Sequence, residues 1–212
     1  MTHGGPPAAE VRLLALGDSY TIGEAVAAGE RWPVRLTELV RAHGIAVASP
    51  EIVARTGWTT DELSGGIDAA NPRGPFDIVT LLVGVNNQYR GRSPAEYRDE
   101  FRGLLARAVA FAGATPDRVI VLSIPDWSVT PFADGRDRAR IAKEIDDFNA
   151  INRDETRRLG GRYVDVTPIS RRAAREPGLV ALDGLHPSAT MYDEWARAVF
   201  SHAMAIVVGE RR

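Results

Sequence analysis

The segment Val11-Arg12-Leu13-Leu14-Ala15-Leu16-Gly17-Asp18-Ser19-Tyr20 decides how the rest of the chain is read, because an apolar run stops at a glycine and presents a hydroxyl. A run of this length and bulk predicts a buried parallel strand. Ser19 then lies just past the strand's carboxyl end, where open α/β sheets gather their ligands. Its hydroxyl is the candidate nucleophile.

Working outward, the same pattern recurs. A weaker strand is expected over 46–54, delivering Arg55-Thr56-Gly57-Trp58 to the same edge as Ser19. A third, over 76–83, is almost continuous Ile, Val and Leu and ends in Gly84-Val85-Asn86-Asn87. The fourth and fifth are expected over 118–124 and 162–166, the fourth leading into Pro125-Asp126-Trp127 and a loop to about 135. Apolar residues at helical spacing predict helices over 30–43, 60–70, 94–112, 136–159 and 188–207. Ser93-Pro94-Ala95-Glu96 reads as N-cap, N1 proline and capping-box glutamate for the third of these. Five strands alternating with helices imply an α/β fold with a parallel sheet covered on both faces, since each parallel pair needs a crossover. Strand order is not legible from the pattern.

Composition sets outer limits. The 212 residues suit one domain, expected over 10–212 behind a flexible leader over 1–9. A formal net charge of −2 leaves no electrostatic footprint for nucleic acid. The positive charge is nearly all arginine, Lys143 being the single lysine, and the arginines are interleaved with acids in the manner of a solvated surface. With no cysteine, disulfides, thiolate chemistry and cysteine metal sites are excluded. The first ten residues lack an apolar h-region and no stretch approaches a membrane span, which predicts a cytoplasmic protein without integral membrane association. Oligomeric state is not legible.

Three strand ends thus supply one feature each, Ser19, Gly57 and Asn86, and the fourth feature is Asp183-Gly184-Leu185-His186-Pro187. A serine nucleophile needs a base, the base needs an orienting carboxylate, and the developing oxyanion needs donors. Asp183 and His186, three residues apart, can place their side chains together so that the carboxylate holds Nδ1 and leaves Nε2 for Ser19. The chain order Ser, Asp, His matches α/β-hydrolases, but their G-x-S-x-G elbow is absent from Gly17-Asp18-Ser19-Tyr20-Thr21. Each motif alone is an ordinary turn former or cap; their joint order carries the reading. His3, His43 and His202 have no partners at ligand spacing, so no metal and no cofactor is assigned.

These residues are similar to those of the SGNH (GDSL-type) hydrolases, a family of esterases, lipases and thioesterases. Gly17-Asp18-Ser19-Tyr20 resembles the first block of that family, Gly57 the isolated glycine of the second, Gly84-Val85-Asn86-Asn87 the third and Asp183-Gly184-Leu185-His186 the last. The resemblance spans nearly the whole domain. It implies a flavodoxin-like three-layer α/β/α sandwich, with Ser19, Asp183 and His186 as catalytic triad. It likewise implies an oxyanion hole made by the backbone N–H groups of Ser19 and Gly57 and the side-chain amide of Asn86. Tyr20 stands where many members have leucine, and Asn87 where many have aspartate.

The expected function is hydrolysis of a small-molecule carboxylic ester or thioester through an acyl-enzyme. Carbohydrate O-deacetylation and acyl transfer use the same residues and stay open. A non-catalytic flavodoxin-like phosphoacceptor or binding module, with Asp18 as the functional residue, is the competitor from another class; it leaves Asn86 and the Asp183–His186 pair without a role. Trp58, Gln88, Tyr89, Trp127 and Phe132 fall in loops at the active edge and are expected to line the acyl or alcohol pocket. The compact chain, without an obvious lid insertion, predicts short or medium acyl groups.

Overall fold

The computed structural model describes residues 10–209, so the leader expected over 1–9 lies outside the described residues. In chain order the elements are β1 (Leu13–Gly17), α1 (Ser19–Ile22), α2 (Trp32–Ala42), β2 (Glu51–Ala54), α3 (Thr60–Ala70), β3 (Ile78–Leu82) and α4 (Val85–Tyr89). Beyond these come α5 (Pro94–Phe111), β4 (Val119–Leu122), α6 (Arg138–Leu159), β5 (Arg162–Val164), α7 (Thr167–Arg171) and α8 (Ala189–Gly209).

Every residue of β1, β3 and β4 is buried, Thr80 included, as strands rich in Leu, Ile and Val require when helices cover both faces of a sheet. The outer strands differ. β2 begins with exposed Glu51 and β5 with half-buried Arg162, so both edges are short and carry charge, a composition that discourages edge-to-edge pairing. All pairings are parallel and the order is β2-β1-β3-β4-β5, the flavodoxin arrangement. α2 packs on α8, while α5 packs on both α3 and α6. With right-handed crossovers this puts α2 and α8 on one face of the sheet and α3, α5 and α6 on the other.

Most elements start or end one or two residues away from the expected bounds, β3, β4 and β5 all being shorter, and at two boundaries the local cause is plain. The strand expected over 46–54 is regular only from Glu51; upstream, Val47 makes a lone parallel bridge to Val11, and Pro50 has no N–H to continue the ladder. The helix expected from residue 136 starts at Arg138, because the Asp137 carboxylate accepts the Arg140 N–H at 3.0 Å and fixes the N-cap there. Ile141, Ile145, Phe148, Ile151 and Asn152 form its buried face as the spacing predicts. Among the described residues no helix is long and apolar enough to cross a membrane.

Register is what makes a site possible. Gly17 pairs with both Ala54 and Leu82, so β1, β2 and β3 end level with one another. The residues just beyond each strand emerge together at the carboxyl edge.

Candidate active site

At the end of β1 only a glycine fits: a Cβ on Gly17 would collide with the Leu82 carbonyl and the Thr21 hydroxyl. The chain then turns into α1 with Asp18 as N-cap, its Oδ1 accepting the Tyr20 N–H at 3.0 Å. Ser19 is the first residue of that helix and is almost wholly buried. Asp18 is fully buried, and its Oδ2 has no hydrogen-bond partner among the described residues. Burial penalises its charged form and pushes its pKa up from 3.8 to about 7, against the opposing effect of the Tyr20 N–H.

The Asp183–His186 segment is built the opposite way. The antiparallel bridge Val180–Pro187 and the Ala181 N–H donated to the His186 carbonyl (2.8 Å) close a tight loop. Within it, Asp183 Oδ1 accepts the Leu185 and His186 N–H groups, each at 3.0 Å, and Oδ2 lies 2.5 Å from His186 Nδ1. Partial burial alone would raise the Asp183 pKa, but the imidazole and the two N–H groups outweigh it and hold the carboxylate below its ordinary range. With Nδ1 engaged, Nε2 is the free nitrogen of His186, whose ring packs 5.1 Å from that of buried Tyr20.

Ser19, Asn86 and His186 line one cavity of about 130 Å³, with Tyr89, Trp127 and Phe132 among its walls. Ser19 and His186 face it without a direct hydrogen bond between them, a looseness common before substrate binds. Asn86 lies in the short helix α4 rather than in a plain loop, and donates one Nδ2 hydrogen to the Trp58 carbonyl at 3.0 Å, leaving the other. Asn87 is wholly buried and anchors this helix: its Oδ1 accepts the Thr60 N–H (3.1 Å) and its Nδ2 donates to the Thr60 hydroxyl (2.6 Å). An asparagine at this position therefore ties α4 to α3 through two hydrogen bonds.

Gly57 is not part of the cavity wall; it stands at φ +84° in the turn closed by the Trp58 N–H and the Arg55 carbonyl (3.2 Å), one residue before the carbonyl that Asn86 bonds. Arg90 donates to the Gly57 carbonyl at 2.6 Å and to Glu62 at 3.1 Å, which fixes the orientation of the following peptide. The backbone N–H groups of Ser19 and Gly57 have no acceptor among the described residues.

Of the five loop residues expected to line a pocket, Tyr89, Trp127 and Phe132 do, in mutual ring contact. Gln88 lines instead a larger cavity that adjoins this one, and Trp58 lines neither. The Trp58 ring packs against Gly66 of α3, where a Cβ would collide with it. Gln88 is buried, accepting the Trp127 Nε1 hydrogen at 2.9 Å and donating to Glu144 at 2.7 Å, so it positions a wall residue from behind. Tyr20 and Leu185 also line the cavity, a role that sequence reasoning missed; both stand inside the first and last motifs, which was the available signal. Arg90 gave no such signal among scattered arginines. Among the described residues no group of three or more His, Asp or Glu side chains is placed to hold a metal.

Residues 15–194 match the family described as GDSL-like lipase/acylhydrolase. No curated protein matches the chain. Among solved structures, TesA superposes with a TM-score of 0.71 at 17% identity, over 92% of this chain and 99% of that one. A lipolytic protein of the G-D-S-L family from Veillonella parvula gives 0.66 at 17% identity, over 90% and 97%. Axe2, an acetylxylan esterase from Geobacillus stearothermophilus, gives 0.70 at 18% identity, over 91% and 94%. At these identities the likeness is one of fold.

Proposed function

The chain belongs to the GDSL-like lipase/acylhydrolase family and is a hydrolase acting on ester bonds, and from that premise we propose that it works through an acyl-enzyme on Ser19. The Ser19 hydroxyl attacks the carbonyl carbon while His186 Nε2 takes its proton. Asp183 holds the imidazole through Nδ1 and stabilises the imidazolium that forms. The tetrahedral oxyanion is received by the N–H groups of Ser19 and Gly57 and the remaining Nδ2 hydrogen of Asn86. Collapse returns the proton from His186 to the departing alcohol or thiol, and water repeats the sequence to release the acid.

The observation that carries this reading is the 2.5 Å contact between Asp183 Oδ2 and His186 Nδ1, made by a histidine that shares one cavity with Ser19. A cavity of about 130 Å³ is small beside the roughly 300–1,000 Å³ of drug-sized ligand pockets, which favours short acyl groups. The phosphoacceptor reading loses its residue, since Asp18 is fully buried.

A fluorophosphonate tests the assignment. It is expected to label Ser19 in the wild type and to leave Ser19→Ala unlabelled; equal labelling of both would remove Ser19 from the chemistry.

A further inference from the structure

Beside the catalytic cavity lies a second one, of about 460 Å³, that shares the rings of Tyr89 and Trp127 with it. Their linings differ in kind. Aromatic and aliphatic side chains dominate the smaller, whereas Arg136, Asp137, Arg140 and Glu144 all open onto the larger. An ester has two halves on either side of the scissile bond, and two adjoining cavities of unlike size and polarity suit a small acyl group joined to a larger, polar leaving group.

The formal charges of the larger cavity balance, two arginines against two acids, but their hydrogen bonds do not. Glu144 accepts from Gln88 Nε2 at 2.7 Å and pairs with Arg140 Nε at 3.3 Å. Asp137 accepts the Arg140 backbone N–H at 3.0 Å. Arg136 has no carboxylate partner among the described residues; its guanidinium makes one long hydrogen bond, to the Tyr89 hydroxyl at 3.3 Å. It is held instead over aromatic faces, 5.3 Å from the Tyr89 ring centroid, 5.5 Å from Trp127 and 5.0 Å from Phe132. All three rings are walls of the catalytic cavity. Stacking of this kind orients a guanidinium while leaving most of its planar fork of donors unspent.

Building on the hydrolase reading above, we propose that the larger cavity binds the leaving-group half of the substrate and selects esters whose alcohol or thiol carries a carboxylate or phosphate, held by Arg136. The anion supplies the counter-charge that Arg136 lacks, and a bidentate pairing with the fork sets its distance from Ser19. Arg140 adds positive potential but is already committed to Glu144.

The test compares hydrolysis of 4-acetoxybenzoate with that of its neutral methyl ester. The neutral compound has the better leaving group, so simple reactivity favours it. The wild type is expected to reverse that order in kcat/KM by about tenfold or more, the worth of a charge-assisted hydrogen bond. Arg136→Gln is expected to lose the reversal and Arg136→Lys to keep part of it, with unchanged thermal midpoints. Hydrolysis of both compounds without the reversal, or a reversal that survives in Arg136→Gln, overturns the proposal while leaving the hydrolase reading intact. Hydrolysis of neither overturns the hydrolase reading and this one with it.

Discussion

Two carboxylates sit within three residues of a candidate catalytic side chain, and the molecule treats them in opposite ways. Asp18, beside Ser19, is sealed in the core with one oxygen unpartnered, and burial raises its pKa to about 7. Asp183, in the His186 loop, is a third exposed, and its two oxygens receive two N–H groups and an imidazole that lower its pKa. Adjacency in sequence to a reactive residue therefore does not assign a role; the hydrogen bonds around the acid do. On this account Asp183 acts in turnover, and Asp18 acts in stability by capping α1 under the nucleophile.

The sharpest break in that comparison is Asp183→Asn. It is expected to fold and to lower kcat by roughly 10³–10⁴, because the imidazole loses both its orienting acceptor and the stabilisation of its charged form. Steady-state kinetics alongside circular dichroism checks this, and full activity in a folded variant would dissolve the pairing. Next in size is the oxyanion hole. Asn86→Ala is expected to lower kcat by roughly 10²–10³ with KM little changed, since the donor acts mainly in the transition state. Arg90→Ala, which leaves Gly57 in place but frees its carbonyl, is expected to do the same to a smaller degree. A raised KM with unchanged kcat would make both residues loop anchors only.

The smallest effect on turnover belongs to Asp18→Asn, whose signature is the pH dependence of stability. For Asp18 the folded pKa lies above the unfolded one, so between pH 3.8 and about 7 the folded state keeps a proton that the unfolded state has lost. Stability from this group therefore falls as pH rises through that window, and the full cost persists above it. Asp18→Asn is expected to gain on the wild type in thermal midpoint by several degrees between acid and mildly alkaline pH. Asp183 has the opposite sign: its lowered folded pKa stabilises the protein above the ordinary carboxylate range, and that contribution is lost in acid. Parallel melting curves for the two variants would contradict the comparison.

The sequence carried the layered architecture because central strands such as Ile78–Leu82 are buried on both faces, which leaves short, nearly continuous β-branched and leucine runs alternating with helical spacing. Motifs at strand ends were legible for the same reason, since register brings the turns after Gly17, Ala54 and Leu82 to one edge. Side-chain direction was not legible. Trp58 lies in the expected turn but packs onto Gly66, and Gln88, in α4 and bonded to Glu144, faces the larger cavity rather than the one that Ser19 lines. Arginines were the deepest omission: in sequence they are interleaved with acids, and only the fold singles out Arg90 on the Gly57 carbonyl and Arg136 over three rings.

The central claim is that Ser19 becomes acylated during turnover. Acid quenching of the enzyme while it hydrolyses p-nitrophenyl acetate, followed by peptide mass mapping, reads this directly. One acetyl group is predicted on the peptide containing Ser19, accumulating further in a variant slowed in deacylation and absent from Ser19→Ala. Undiminished turnover by Ser19→Ala, or an acetyl group carried on another residue in its place, would contradict it.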